Sequence, residues 1–310
     1  MTKKILQVLI FVLIISSLIF LRLHHTINPK NHLIISSSWT TYPIVKIWVN
    51  HFHAINPEAD IHIHLVGSKK SLEDVLEGKA DIAATSKPIE KDTFCSIAIA
   101  NDVVTLIANA SHPSIDRFFT QGFTLNDLQK LYAQGQIHKF CDNEPCINLY
   151  VRSDPSVTSN AFANFIMTTP QSLHGTKIEG AENLVQAVQE DLLGIGYASL
   201  AYTFDPLLQQ PKHGLRLIPL DIDESGAIEK HEYIYANLQN FIEAVQSGLY
   251  PQELKLTSYF IYPKKPKKLS LAFLHFVLNE GQELLFEKGY IPLSQSQIEE
   301  AKSCLKTDTY

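Results

Sequence analysis

The 310-residue chain lacks the motifs that mark the common enzyme classes. There is no Gly-x-Ser-x-Gly elbow, no Walker loop, no Gly-x-Gly-x-x-Gly turn and no His-Glu-x-x-His helix. No general base or carboxylate pair stands beside its Ser/Arg segments, as phosphoryl transfer would require. Positive charge is also short: 26 Lys+Arg against 32 Asp+Glu leave a net −6. Residues 1–32 hold Lys3, Lys4, Arg22 and Lys30 and no acid, so the remaining 278 residues carry −10. A body this acidic argues against nucleic acid as partner, because binding the phosphate backbone needs a basic surface. Internal repeats and low-complexity linkers are missing, and 45% hydrophobic content excludes a disordered or fibrous chain. Only one long apolar run exists, which excludes a polytopic membrane protein.

That run, Ile5–Leu21, follows Lys3-Lys4 and precedes Arg22. Its seventeen residues span about 26 Å as a helix, slightly short of a hydrocarbon core. A charged start before an apolar stretch is an export signal. No small-x-small cleavage site and no lipid-bearing cysteine follow it, so residues 1–32 are expected to be an uncleaved signal anchor, with a cleaved signal peptide as the alternative. The positive-inside rule places the lysines in the cytoplasm and the body outside, at the extracytoplasmic face of the inner membrane. Cysteines pair in such a compartment. Cys141 and Cys146 flank Asp142-Asn143-Glu144-Pro145 and are expected to close a small disulfide loop. Zinc is the weaker reading there, because His138 is the sole further ligand nearby. Cys95 and Cys304 are a possible second pair.

Short apolar runs alternate with amphipathic stretches, the pattern of an α/β fold. Strands are expected at 33–35, 61–65, 82–84, 103–108, 147–151, 195–198, 215–220 and 259–262. Helices are expected at 43–55, 71–77, 125–133 and 158–167, and a long one at 269–288 ending at Gly289. His62 and His64 share one face of the second strand, which a half-exposed face explains better than a metal; no metal or cofactor is expected.

Three hydroxyl-rich turns precede helices: Ser36–Pro43, Gly67–Ser71 and Arg152–Thr158. Pro43 suits a first helical position, which puts Thr41 or Tyr42 at the cap, and Ser71 with Asp74 reads as a capping box. Each turn alone is explained by a capped helix. Brought together, their free N–H groups, hydroxyls and one arginine would form an oxyanion cage.

These segments resemble the PstS-type phosphate-binding proteins, the solute-binding components of phosphate ABC transporters, over nearly the whole body. Ser37–Pro43 is similar to the family's Gly-Ser-Ser-Thr-Val-Tyr-Pro. Asp81–Ile89 resembles its Asp-Ile-Ala-x-x-Ser-Arg-Pro-Ile, and Phe123–Tyr132 its Leu-Thr-x-x-Asp-Leu-x-x-Ile-Phe. Arg152–Thr158 is similar to its Arg-x-Asp-x-Ser-Gly-Thr anion loop, and Gly194–Tyr197 to its Ala-Ile-Gly-Tyr strand. Phe276–Gln282 and Gly289–Leu293 resemble its carboxy-terminal motifs.

The resemblance implies a type-II periplasmic binding fold, in which crossover strands join two α/β lobes, residues 33–107 plus 256–310 and residues 108–255. It implies phosphate bound between the lobes by Thr41, Tyr42 (backbone N–H), Ser68 and Ser86 from one and Arg152, Ser156, Val157 (backbone N–H) and Thr158 from the other. Delivery to an ABC permease by a monomeric binder follows from it, with a membrane-tethered sensor or interaction module of weak or lost anion binding as the alternative. The chain departs from the family pattern in three places. Ser86 stands where some members carry a proton-accepting aspartate, Pro155 and Val157 replace glycines, and Lys87 replaces an arginine.

Overall fold

Along His32–Ser37 the side chains of Leu33 and Ile35 are fully buried while those between them are half-buried, the period-two pattern of a strand. The computed structural model describes residues 31–136, 147–205, 207–235 and 237–307. The expected anchor run and the Cys141–Cys146 loop therefore lie outside the described residues. Among the described residues, no helix is long and apolar enough to cross a membrane.

The first block runs β1 (His32–Ser37), α1 (Tyr42–Ile55), β2 (Asp60–Leu65), α2 (Ser68–Leu76), β3 (Ile82–Thr85) and the long β4 (Phe94–Asn109). Helices α3 (Ile115–Gln121) and α4 (Leu125–Leu128) follow, and α4 continues into a wider turn at Gln129–Ala133. Next come β5 (Asn148–Arg152), α5 (Val157–Phe165), β6 (Thr176–Ile178), α6 (Ala181–Glu190), β7 (Gly194–Ser199) and α7 (Leu200–Thr203). A small hairpin of β8 (Phe204–Asp205) and β9 (Gln210–Pro211) leads to β10 (Leu215–Leu217) and α8 (Leu238–Ser247). The chain ends with β11 (Lys255–Pro263), α9 (Lys268–Val277), α10 (Glu280–Glu283) and α11 (Gln295–Thr307).

Nine strands form one mixed sheet in the order β2-β1-β3-β11-β4-β7-β5-β6, with β10 also on β4. The β1–β2, β1–β3, β5–β6 and β5–β7 pairs are parallel, and helices make their crossovers as parallel pairing requires. β11 and β4 are antiparallel to each other and to their outer neighbours. The first half of β4 pairs with β11, and its second half pairs with β7 and β10.

Burial divides along the same line. One apolar cluster draws on buried residues between Leu33 and Ala100 and between Phe260 and Leu305, beside a small third one of Val75, Ala83 and Ile261; the other draws on residues from Val103 to Leu254 with Ile291. On β4 the change falls at Asn101-Asp102, and on β11 it falls between Leu256 and Phe260. α1 turns Ile44, Val45, Trp48 and Phe52 onto the first cluster, the one-sided spacing of an amphipathic helix. Cys95 and Cys304 both pack, half-buried, against that cluster.

Two local expectations are corrected. Ser71 and Asp74 do not form a capping box. α2 already begins at Ser68, behind Gly67 with φ 91°, so Ser71 lies inside the helix. The Ser71 hydroxyl donates to Ser36 O, and Asp74 accepts from Ser36 Oγ at 2.8 Å and pairs with Lys70 at 2.7 Å. Among the described residues a capping box is formed instead by Thr124 with Asp127, at the start of α4. The long helix expected over 269–288 is broken after Val277 into α9, α10 and a 3-10 turn, Leu284–Lys288. Its interruption accompanies a close backbone approach: Trp48 Nε1 donates to Gly281 O at 2.7 Å, and a Cβ on Gly281 would meet that ring at 3.0 Å. The terminus at Gly289, with φ 71°, is where it was expected.

Candidate functional site

A cleft of about 830 Å³ opens where β4 and β11 pass from one cluster to the other. The carboxyl ends of parallel strands supply its walls, the usual position for ligands in open α/β sheets. On one side stand Ser38 and Thr40 after β1, Ser68 at the start of α2, and Ser86 and Lys87 after β3. On the other stand Arg152 at the end of β5, the loop from Asp154, and Ser156, Val157 and Thr158 opening α5. The crossing strands add Asp102 and Lys255.

Six of the eight expected ligand residues therefore line one cleft: Ser68, Ser86, Arg152, Ser156, Val157 and Thr158. Thr41 and Tyr42 stand behind the wall. The Thr41 side chain is fully buried, its hydroxyl shared with Ser38 Oγ at 2.8 Å and reaching Ala84 O at 3.1 Å. Tyr42 N–H donates to Ser38 O at 3.0 Å and so is committed within its own turn. Ser38 and Thr40 face the cleft instead, joined Oγ to Oγ1 at 3.0 Å, while Thr40 O accepts from the Tyr290 hydroxyl at 3.0 Å.

At the second wall, Ser156 caps α5 and accepts from Ser159 N–H at 3.4 Å. The N–H groups of Val157 and Thr158 then fall in the first turn, where helix geometry offers them no acceptor. Val157 and Thr158 line the cleft, so the positive end of the α5 dipole stands at its wall. Arg152 is held by Asp154: Nε donates to Oδ1 at 2.7 Å and Nη2 donates to Oδ2. Asp154 Oδ1 also accepts Gly180 N–H at 2.9 Å, which ties this loop to the start of α6. The guanidinium beside it brings the Asp154 carboxyl down to about 2. Part of the arginine's fork, Nε and Nη2, is thus occupied from within the chain, while the residue lines the cleft.

Asp102 behaves oppositely. Burial raises it to about 6, although Ser199 and the N–H groups of Val103, Leu200 and Ala201 donate to it. The Val103 N–H lies 2.7 Å from Oδ1. Those donors include the start of α7, so Asp102 occupies one helix terminus with an internal carboxylate. Lys255 is partly desolvated, which lowers its pKa, and no carboxylate offsets that effect. Both residues escaped sequence reasoning. Asp102 had left a signal, an acid inside the apolar run Ile97–Ala108; Lys255 had left none.

The sheet crossed twice by β4 and β11, with a cleft lined by helix starts at the crossing, is the mixed α/β architecture of a periplasmic binding protein. Residues 25–280 match the PBP superfamily domain, and the chain belongs to that superfamily. Its homologues include Protein SphX of Synechocystis, 28% identical over 290 residues that cover 86% of this chain and 80% of the relative. The Phosphate-binding protein PstS of Pseudomonas aeruginosa is 23% identical over 284 residues, covering 83% of this chain and 82% of the relative. Among solved structures, a putative phosphate ABC transporter substrate-binding protein from Clostridium perfringens, with bound phosphate, has a TM-score of 0.62. It is 21% identical, and the match covers 85% of this chain and all of that one.

Proposed function

We propose that the protein binds an inorganic oxyanion, phosphate in the first place, between two lobes outside the cytoplasmic membrane and passes it to an ABC permease. The lobes of this proposal are residues 33–107 plus 256–310 and residues 108–255. The observation that carries it is convergence: Arg152 and two helix starts, at Ser68 and at Ser156–Thr158, meet across one cleft. Arg152 supplies a charge-assisted contact. Ser68, Ser86, Ser156 and Thr158 offer hydroxyls, and Val157 and Thr158 offer backbone N–H groups. Ser38 and Thr40 replace Thr41 and Tyr42 in this role. The cleft exceeds the volume of a single small anion, so capture requires the walls to approach and exclude water. The role is that of a binding protein, as the names of its PstS relatives state for them, and not that of an enzyme.

One observation favours the second reading, a sensor or interaction module of weak anion affinity. Asp154 already neutralises Arg152, and Pro155 beside it can offer no N–H. Calorimetric titration of the full-length protein with phosphate and with sulfate separates the two. The transport reading expects saturable heat with phosphate that Arg152→Ala abolishes. No heat with either anion up to millimolar concentration would sink it, and unchanged affinity in Arg152→Ala would refute the assigned cage.

A further inference from the structure

β2 is the edge strand of the sheet, and Asp60, His62 and His64 alternate along its exposed face. Parallel pairing sets His32 of β1 directly opposite Asp60. His62 Nε2 lies 2.8 Å from Asp60 Oδ1, and His32 Nε2 lies 3.9 Å from Asp60 Oδ2. The two imidazole centroids are 5.3 Å apart, with the rings inclined at 37°. One ligand atom from each of the three residues lies within 4.8 Å of the others.

We propose that His32, Asp60 and His62 bind a divalent transition-metal ion, zinc in the first place, with the remaining positions taken by water. Two imidazoles and one carboxylate suit zinc and its first-row neighbours, whereas magnesium and calcium prefer all-oxygen sites. Tetrahedral zinc with bonds of about 2.0–2.1 Å sets its donor atoms about 3.4 Å apart. The separations of 2.8 Å (His62 Nε2 to Oδ1) and 3.9 Å (His32 Nε2 to Oδ2) fall on either side of that value, so the three side chains must rotate to bring their donors round one ion. The backbone beneath is fixed. Asp60 N–H donates to Asn31 O at 2.8 Å, and His53 Nδ1–H donates to Ala59 O at 3.2 Å, both at the start of β2.

The histidine pair visible in the sequence, His62 with His64, is not the pair that meets. The pair that meets is His32 with His62, a diagonal contact across β1 and β2 in which the two rings lean over Asp60, the residue opposite His32. His64 faces Ser36 instead. A second group of potential ligands, Asp223, His231 and Glu232, is a poorer candidate. It has one imidazole, and both Glu232 oxygens are engaged by Ile222 and Glu229 N–H groups. The proposed site lies at the amino ends of β1 and β2, whereas the cleft lies beyond their carboxyl ends, so the two are tested separately.

The test titrates the full-length protein with zinc chloride in phosphate-free buffer by calorimetry, and with cobalt(II) followed by its visible d–d absorption. The expected result is saturable zinc binding that His32→Gln and His62→Gln each weaken at least about tenfold, since even the loss of a group supporting a ligand costs that much. His64→Gln, His231→Gln and the double variant His24→Gln/His25→Gln leave it unchanged. Melting curves in EDTA check that the variants fold. The proposal is overturned if wild type gives neither heat nor a cobalt band. It is equally overturned if the His32 and His62 variants bind as wild type, or if binding is lost with His231 or with the His24/His25 pair.

Discussion

Replacing Asp154 with asparagine keeps the shape of the loop that holds Arg152 and removes its charge. The folded carboxyl stands at about 2 against an ordinary 3.8, chiefly because Arg152 donates to it. A depressed carboxyl stabilises the fold at every pH above its unfolded value, and that contribution is lost as pH falls through its folded value. The whole shift corresponds to roughly 2 kcal/mol. The pair is partly open, with the side chains of Arg152 and Asp154 12% and 27% exposed, and solvent screening brings the expected figure to about 1 kcal/mol. Asp154→Asn should therefore be about 1 kcal/mol less stable than wild type at pH 7, with the gap closing by roughly half at pH 3. Urea denaturation of both proteins at pH 7, 5, 4 and 3 measures the gap, and carboxylates common to both cancel. A gap of constant size from pH 7 to pH 3 would show that the Arg152–Asp154 charge pair is not its source.

Asp102→Asn should show the opposite slope. Burial raises this carboxyl from 3.8 to about 6, so its contribution to stability is full below pH 3.8 and is lost as pH rises through 6. Between pH 4 and pH 7 wild type should lose on the order of 2 kcal/mol relative to the variant; parallel stability curves would place Asp102 in a more solvated setting. Gly281→Ala pushes a methyl to within 3.0 Å of Trp48 Nε1 and 3.1 Å of Phe276 O, and should destabilise by about 1–3 kcal/mol. A melting temperature equal to wild type would mean that α10 moves aside freely.

The strands were legible because their burial follows apolar runs with turn residues at each end. Each of the eight expected strands overlaps an observed one, although β10 stops at Leu217, short of the expected 220, and β4 and β11 run several residues beyond the segments expected. Those extensions belong to the crossing, where Asp102 and Lys255 line the cleft and Asn101 is buried against Thr257, Ile291 and Gln297. Hydrogen-bond partners were less legible. Ser71-x-x-Asp74 has the spacing of a capping box, yet a neighbouring strand outbids the local partner, and Ser36 takes up both side chains. Thr41 and Tyr42 failed to reach the cleft for a similar reason: the turn closes on itself through Ser38 and Ala84. Helices α3, α6, α7, α8 and α11 were missed although α6 carries Leu184, Val185 and Val188 on one face. At the candidate site the residue types and their order were readable, and the internal pairing of Arg152 with Asp154 was not, since it depends on how a turn folds back.

β4 and β11 are hydrogen-bonded neighbours in register on both sides of an irregularity at Ser258/Tyr259. A pair of strands joined in this way can bend and twist across its width but resists sliding lengthwise, because sliding would break every rung of the ladder at once. The wall bearing Ser86 and the wall bearing Arg152 thus share a mechanical guide with few soft directions. If the proposed anion draws the walls together, its size would be converted into an angle between them. On the proposed function, a partner on the outer surface could then distinguish ions by that angle without touching the ligand.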